Sequence, residues 1–222
     1  MHRLCVSIVA ALLVLTGCQK ESTPKSEPPA KPWVKSEETK PSRPQPPEKV
    51  ELPKPPEPKA IPSVSLSEEA KATNRVKVGD KLPGGELADL SGKTQAIEKL
   101  LGPKLTVLFF WTAENSYSVT ELEDLQADVF QPMTAKGVHV VGINVDDDPQ
   151  KARKAAEKAG AKFPILLDPG KKYFAKLATE KLLRTYLVDS KGVIRWFDVE
   201  YSRSTERDLL TGIGFILGGT GP

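Results

Sequence analysis

The stretch FFWTAENSYSVTELEDL, residues 109–125, sets a polar corner, Glu114 to Ser118, between an apolar run and an amphipathic pattern. Ser118 carries a hydroxyl that would serve hydrolysis only with a base to take its proton. The chain has two histidines: His2 precedes an apolar leader, and His139 sits within VHVV, where the pattern places it on a strand. Thiol exchange and peroxide reduction both start from a thiolate, and the two cysteines, Cys5 and Cys18, both lie in the first eighteen residues. One remaining histidine and no later thiol leave only carboxylates as metal ligands, so neither a metal site nor a cofactor is expected. The acidic run Asp146–Asp148 before Pro149 reads as a loop ending in a helix cap rather than a Ca²⁺ site. What remains for Asn115 and Ser118 is capping, because a helix begins with free N–H groups that short polar side chains can accept. The same N–H groups leave the corner open to an anion or a polar contact.

The elements that hold this corner alternate between two periods. LTVLFFWT (105–112) is a continuous apolar strand, buried on both faces. A helix follows over 116–136 with Val119, Leu122, Leu125, Val129 and Met133 on one stripe and Pro132 as a kink or stop. Further along, 137–145 is a strand, 148–160 a helix stopped by Gly160, 163–168 an extended segment and 171–179 a short helix. Residues 184–200 form a hairpin turning at DSKG, and 204–218 is a closing helix. Upstream, KTQAIEKLL (93–101) has a helical pattern. Strands interleaved with helices over about 145 residues define one three-layer α/β domain.

The N-terminal third is different. MHRLCVSIVAALLVLTGC has a short basic start and an apolar run too short to span a membrane comfortably, which is the shape of a secretory signal. LTGC at 15–18 resembles the bacterial lipobox. That resemblance implies cleavage between Gly17 and Cys18, with Cys18 lipidated. Gln19, rather than aspartate, then favours the outer membrane, facing the periplasm, if the envelope is Gram-negative. Thirteen of the 20 prolines fall between Pro24 and Pro62, interleaved with Lys and Glu, and this composition cannot form a core. The expected organisation is therefore a signal peptide at 1–17, a lipid-anchored disordered tether at 18–75 and a folded domain at 76–222. Up to Arg75 there are 12 basic and 9 acidic residues, and beyond it 20 of each, so the net +3 belongs to the leader and tether. A neutral domain argues against nucleic-acid binding.

From Val76 to about Trp196 the ordered segments resemble the thioredoxin-like redoxins of the TlpA and AhpC/TSA type. KVGDKLPGGELADLSGK, LTVLFFWTAENSYSVTELEDLQ, VHVVGINVDDDPQKARKAA, FPILLDPGKKYFAKL and TYLVDSKGVIRW carry the likeness. It implies a central mixed sheet with helices on both faces. Aligned through Phe110 and Trp111, Asn115 and Ser118 stand where that family has its two cysteines. Glu114 stands in place of a tryptophan, Leu183 where a cis-proline faces the dithiol, and Glu121 is retained. On family likeness alone the chain would be an oxidoreductase. Without the dithiol the expectation is a redox-inactive, monomeric domain serving as a binding or assembly module for an envelope protein. The alternatives are a redoxin that borrows a partner's thiol or another cofactor, and a mechanical spacer.

Overall fold

The computed structural model describes residues 60–146 and 148–218. The segments expected to be a signal peptide (1–17), with its Gly17/Cys18 junction, and a tether, up to residue 59, lie outside the described residues.

Seven strands form one mixed sheet in the order β2-β1-β5-β4-β3-β6-β7. Interior to the sheet is β3 (Leu105–Trp111), all seven residues of which are buried, as an apolar run with no polar alternation requires. It pairs in parallel with β4 (Val138–Asn144), in register from Leu105 opposite Val138 to Trp111 opposite Asn144. The other side of β4 takes β5 (Ile165–Leu167) in parallel. The hairpin β6 (Arg184–Asp189) and β7 (Ile194–Val199) adds antiparallel to β3 and leaves β7 as the outer strand. Gly142 in β4 is a close approach: a Cβ there would stand 2.8 Å from Ile165 Cδ1 and 3.1 Å from the Phe109 ring.

Alternation along β3 divides the core. Leu105, Val107, Phe109 and Trp111 face one layer, with α2 (Ser116–Asp124), α4 (Pro149–Lys158) and α6 (Arg203–Ile216). Leu108 and Phe110 face the other, with Tyr173, Phe174 and Leu177 of the segment containing α5 (Phe174–Leu177). This is the expected three-layer arrangement.

Three local expectations change. The 93–101 segment is not one helix. Thr94–Ala96 is β2, paired antiparallel with β1 (Glu86–Asp89), and only Ile97–Leu100 turns helically, as a 3₁₀ turn. Asp89 draws this hairpin together by accepting from Gln95 Nε2 at 3.0 Å and from the N–H groups of Ser91 and Lys93. The helix expected over 116–136 has that extent but three registers. It is α-helical to Asp124, π-helical over Leu125–Phe130, and α-helical again in α3 (Gln131–Met133) before a 3₁₀ end at Gly137, φ +91°. Pro132 lacks the N–H that the α register would send to Asp128, and the wider turn lies immediately before it. Pro132 therefore neither stops nor ends the helix.

The third change lies at the domain's N-terminal edge. Residues 60–75, assigned from composition to the tether, form a strap on the domain. Ile61 and Val64 pack on the α6 side of the sheet and Leu66 on the opposite side, so the strap crosses beside β7. It then forms α1 (Glu68–Ala72), capped by Ser67, and pairs with the 177–179 segment. There Arg75 N donates to Leu177 O at 2.9 Å and Thr179 N to Thr73 O at 2.9 Å.

Candidate functional site: a corner without thiols and the groove beside it

The polar corner forms where β3 ends and α2 begins. Asn115 takes an extended conformation, φ −98°, and its Oδ1 accepts from Tyr117 N at 2.9 Å and Ser118 N at 3.2 Å. Ser118 is fully buried, and its Oγ accepts from Thr112 N at 3.3 Å. Asn115 thus satisfies two backbone donors at the helix start, as capping predicts, whereas Ser118 satisfies the Thr112 N–H where β3 ends. Among the described residues, the Ser118 hydroxyl has no histidine beside it. His139 pairs in register with Thr106 at the far end of β4, with Nδ1 3.1 Å from Leu100 O, whereas the corner lies at the Trp111–Asn144 end.

Asp146 holds the corner from below. Its carboxylate accepts from the Thr112 hydroxyl, from Ala113 N at 2.7 Å and from Asn144 Nδ2 at 2.9 Å. Sequence reasoning treated the acidic run as a cap, which holds for Asp148, whose Oδ1 accepts from Gln150 N at 2.9 Å. It missed Asp146, because the corner residues it binds, Ala113 and Thr112, lie 33 and 34 residues away. The available signal was that β3 and β4 have equal length, which puts the first polar residues after each side by side. Glu114 is exposed and ion-paired with Lys151 at 2.5 Å.

Glu121 follows one turn below Ser118 and is 1% exposed. Thr185 Oγ1 donates to its Oε1, while Oε2 has no partner among the described residues. Burial pushes its carboxyl up to about 8. The Thr185 hydrogen bond pulls down, and the nearby charges of Asp124 and Asp198 add to the rise. Trp111 closes β3 fully buried, its Nε1 without a hydrogen-bond partner among the described residues. Glu121 and Trp111 are thus floor rather than surface.

Leu183 is half-buried and reaches the same place from the loop before β6. The described residues contain no cis peptide bond, so the position that the likeness gives to a cis-proline is a trans Leu182–Leu183 link. A groove of about 830 Å³ runs between corner and loop, lined by Asn115, Tyr117, Leu182, Leu183, Tyr201 and Arg203 among others. Tyr117 is 63% exposed over it. Lys181 and Glu200, also in its lining, have φ of +58° and +70°, and their side chains pair at 3.5 Å. Glu200 N donates to Leu183 O at 2.7 Å, while Leu182 and the Leu183 N–H have no hydrogen-bond partner among the described residues. Tyr117, Tyr201, Lys181 and Glu200 were not singled out from sequence, since the groove joins segments some 60 to 85 residues apart.

One acidic cluster lies beyond the groove. Asp124, Asp128 and Glu206 place ligand-type oxygens within 4.8 Å of one another. Arg203 pairs there with Glu206 at 2.6 Å and Asp124 at 3.5 Å, and the Tyr201 hydroxyl donates to Asp124 at 2.5 Å. The cluster is a clasp between the long helix and α6. Among the described residues, no helix is long and apolar enough to cross a membrane.

A sheet of this order, with a strand-to-helix corner facing a β6 loop, defines a thioredoxin-like redoxin domain. Residues 78–197 match the model of the AhpC/TSA family, and the chain belongs to that family. Peroxiredoxin Q of the Populus jackii chloroplast is 30% identical over 142 residues, 60% of this chain and 66% of that one. For its Triticum aestivum counterpart the matched region spans 58% of the relative's length. The thiol-disulfide oxidoreductase ResA of Bacillus anthracis is 23% identical over 120 residues, 54% of this chain and 68% of that one. Among solved structures, peroxidoxin BcpB of Mycobacterium tuberculosis shares the fold, with a TM-score of 0.56 at 21% identity over 67% of this chain and all of that one.

Proposed function

We propose that this protein is a redoxin-fold binding module of the bacterial cell envelope that performs no thiol chemistry and takes an extended protein segment into the groove beside its corner. The single observation that carries this reading is the state of Asn115 and Ser118: their side chains cap a helix and a strand end, and no cysteine occurs among the described residues. Fold does not supply chemistry without its groups. The groove, by contrast, offers what a peptide needs. It has an exposed aromatic ring at Tyr117, apolar contact at Leu182 and Leu183, and unpaired backbone that an extended chain can bond. The LTGC motif supports lipid attachment at Cys18, with residues 19–59 as the reach from the membrane. Intact mass spectrometry of the mature chain tests that anchor.

The test of binding is a photo-crosslinking amino acid placed at Tyr117 and, as control, at Glu123, exposed on the same helix. A discrete adduct from Tyr117 alone supports the groove; equal or absent adducts from both positions overturn it. The oxidoreductase names of the relatives favour a second reading, in which a partner supplies the thiol. Insulin-reduction and peroxide-consumption assays on the purified chain separate the two. No turnover is expected from the wild type. The Asn115→Cys/Ser118→Cys variant is expected to form a disulfide across one helical turn yet to turn over poorly, because Leu183 crowds the facing loop.

A further inference from the structure

Arg184, at the start of β6, is 1% exposed and has no carboxylate within ion-pairing distance among the described residues. A buried charge without a counter-ion persists only if its donors are satisfied, and here they are satisfied on two sides. Nε donates to Lys181 O at 2.9 Å and Glu180 O at 3.3 Å, and Nη2 to Glu180 O at 3.1 Å. On the other side Nη1 donates to Asn74 Oδ1 and Nη2 to Thr73 Oγ1, both at 2.5 Å. The first pair of acceptors belongs to the loop that walls the groove; the second belongs to the strap.

We propose that Arg184 is the positioning residue of the groove and that the strap is part of the site. Thr73 and Asn74 orient the guanidinium, which holds Glu180 and Lys181 in the shape that presents Leu182 and Leu183. The assignment of the groove as the binding surface rests on the reading given above; the mechanical link does not.

Three features carry the link. Thr73 is itself fixed, since its hydroxyl donates to Ala70 O at 2.7 Å at the end of α1 while accepting from Arg184. The carbonyls that Arg184 grips belong to Lys181, whose φ is +58°, and to the residue before it. For a lysine that conformation carries a steric cost, which bonds from outside the residue offset. The planar fork of arginine spans strap and loop together, whereas the three donors of a lysine ammonium carry no such fixed geometry. The wall is then closed from its far end by Glu200 N on Leu183 O. A chain cut at Val76 keeps every strand of the sheet but removes the acceptors that aim the guanidinium.

The test is amide exchange by NMR on the full chain, read at Glu200, whose N–H reports closure of the wall without touching the strap, and at Leu108 and Val141 in the sheet as controls. Thr73→Val with Asn74→Ala leaves Arg184 in place and is expected to speed exchange at Glu200 about tenfold with the controls unchanged. Arg184→Lys is expected to do the same. Adding Lys181→Gly, which adopts positive φ freely, is expected to return most of the lost protection, a rescue that general loosening of the domain would not show. An unchanged Glu200, an equal rise at the two controls, or no rescue by Lys181→Gly overturns the proposal. Because no ligand is present, this result is independent of the crosslinking at Tyr117, and either can fail alone.

Discussion

On the β3 side of the groove, Asn115 and Ser118 keep ordinary backbone angles and turn their oxygens inward to local N–H groups, and Asp146 locks the corner to β4. On the β6 side, Lys181 and Glu200 both hold positive φ, and Leu182 has no hydrogen-bond partner among the described residues. The two walls face each other across the same space, yet only one is relaxed. Backbone strain persists where surrounding structure over-determines it, and it clusters at ligand-facing surfaces. The corner is held by short-range capping bonds, and the backbone strain beside the groove lies on the wall opposite.

If the corner is architecture, replacing its polar residues should alter stability in a manner set by their partners, and Glu121 beneath it gives the largest effect. Its carboxyl is raised from 4.5 to about 8, so the folded state holds a proton that the unfolded state has released between those values. Its contribution is complete below the unfolded value and is lost as pH rises through about 8. Glu121→Gln removes this dependence. Urea unfolding at pH 5, 7 and 9 should show the variant near wild type at pH 5 and more stable by on the order of 3 kcal/mol at pH 9. Asp128 and Asp198, also raised by burial, push the same way in both proteins, so the difference isolates Glu121. A gap that stays constant with pH would mean that the carboxyl is ionised in the fold.

Asp146→Ala comes next. It strips the acceptor from Ala113 N, Asn144 Nδ2 and the Thr112 hydroxyl, and unpaired groups at a half-buried site should cost roughly 2 kcal/mol by denaturant unfolding. Asn115→Ala should cost about 1 kcal/mol, the ordinary value of a lost N-cap. A neutral or stabilising Asn115→Ala would break the comparison, because it would place strain on the corner as well as on the facing wall.

How much of this was legible beforehand depended on the range of each interaction. β3 and β4 stand out in the sequence because doubly buried strands are apolar without alternation, and the Gly160 stop needs only local conformation, φ +66°. The 93–101 segment misled because Ala, Lys and Leu favour helix, while Asp89 and the pairing with β1 decided for strand. The strap was hidden by composition: Ile61, Val64 and Leu66 are three apolar residues in a Pro- and Ser-rich stretch, and only the folded layers on either side of the sheet give them a place to pack. For the site, resemblance located Asn115, Ser118, Glu121 and Leu183. Asp146 and Arg184 escaped because the bonds that define them include partners 33 to 111 residues away.

The smallest expected effect has the opposite sign and bears on the strained wall directly. Lys181 pays for its φ of +58° with a clash between its Cβ and carbonyl oxygen that glycine lacks, about 1–2 kcal/mol. Glycine in turn loses more chain entropy on folding, about 0.4–1 kcal/mol. The ion pair to Glu200 that the substitution removes is 3.5 Å long, with the Glu200 side chain 71% exposed, and in water such a pair adds little. Lys181→Gly should therefore stabilise the chain by about 0.5–1 kcal/mol, where each corner alanine destabilises it. Thermal unfolding at low and high salt checks both parts, since a gain that comes from the backbone should not change with screening. A loss of stability would mean that the left-handed residue is held by its side chain and not by Arg184, and the contrast between a relaxed corner and a strained wall would then lose its strained half.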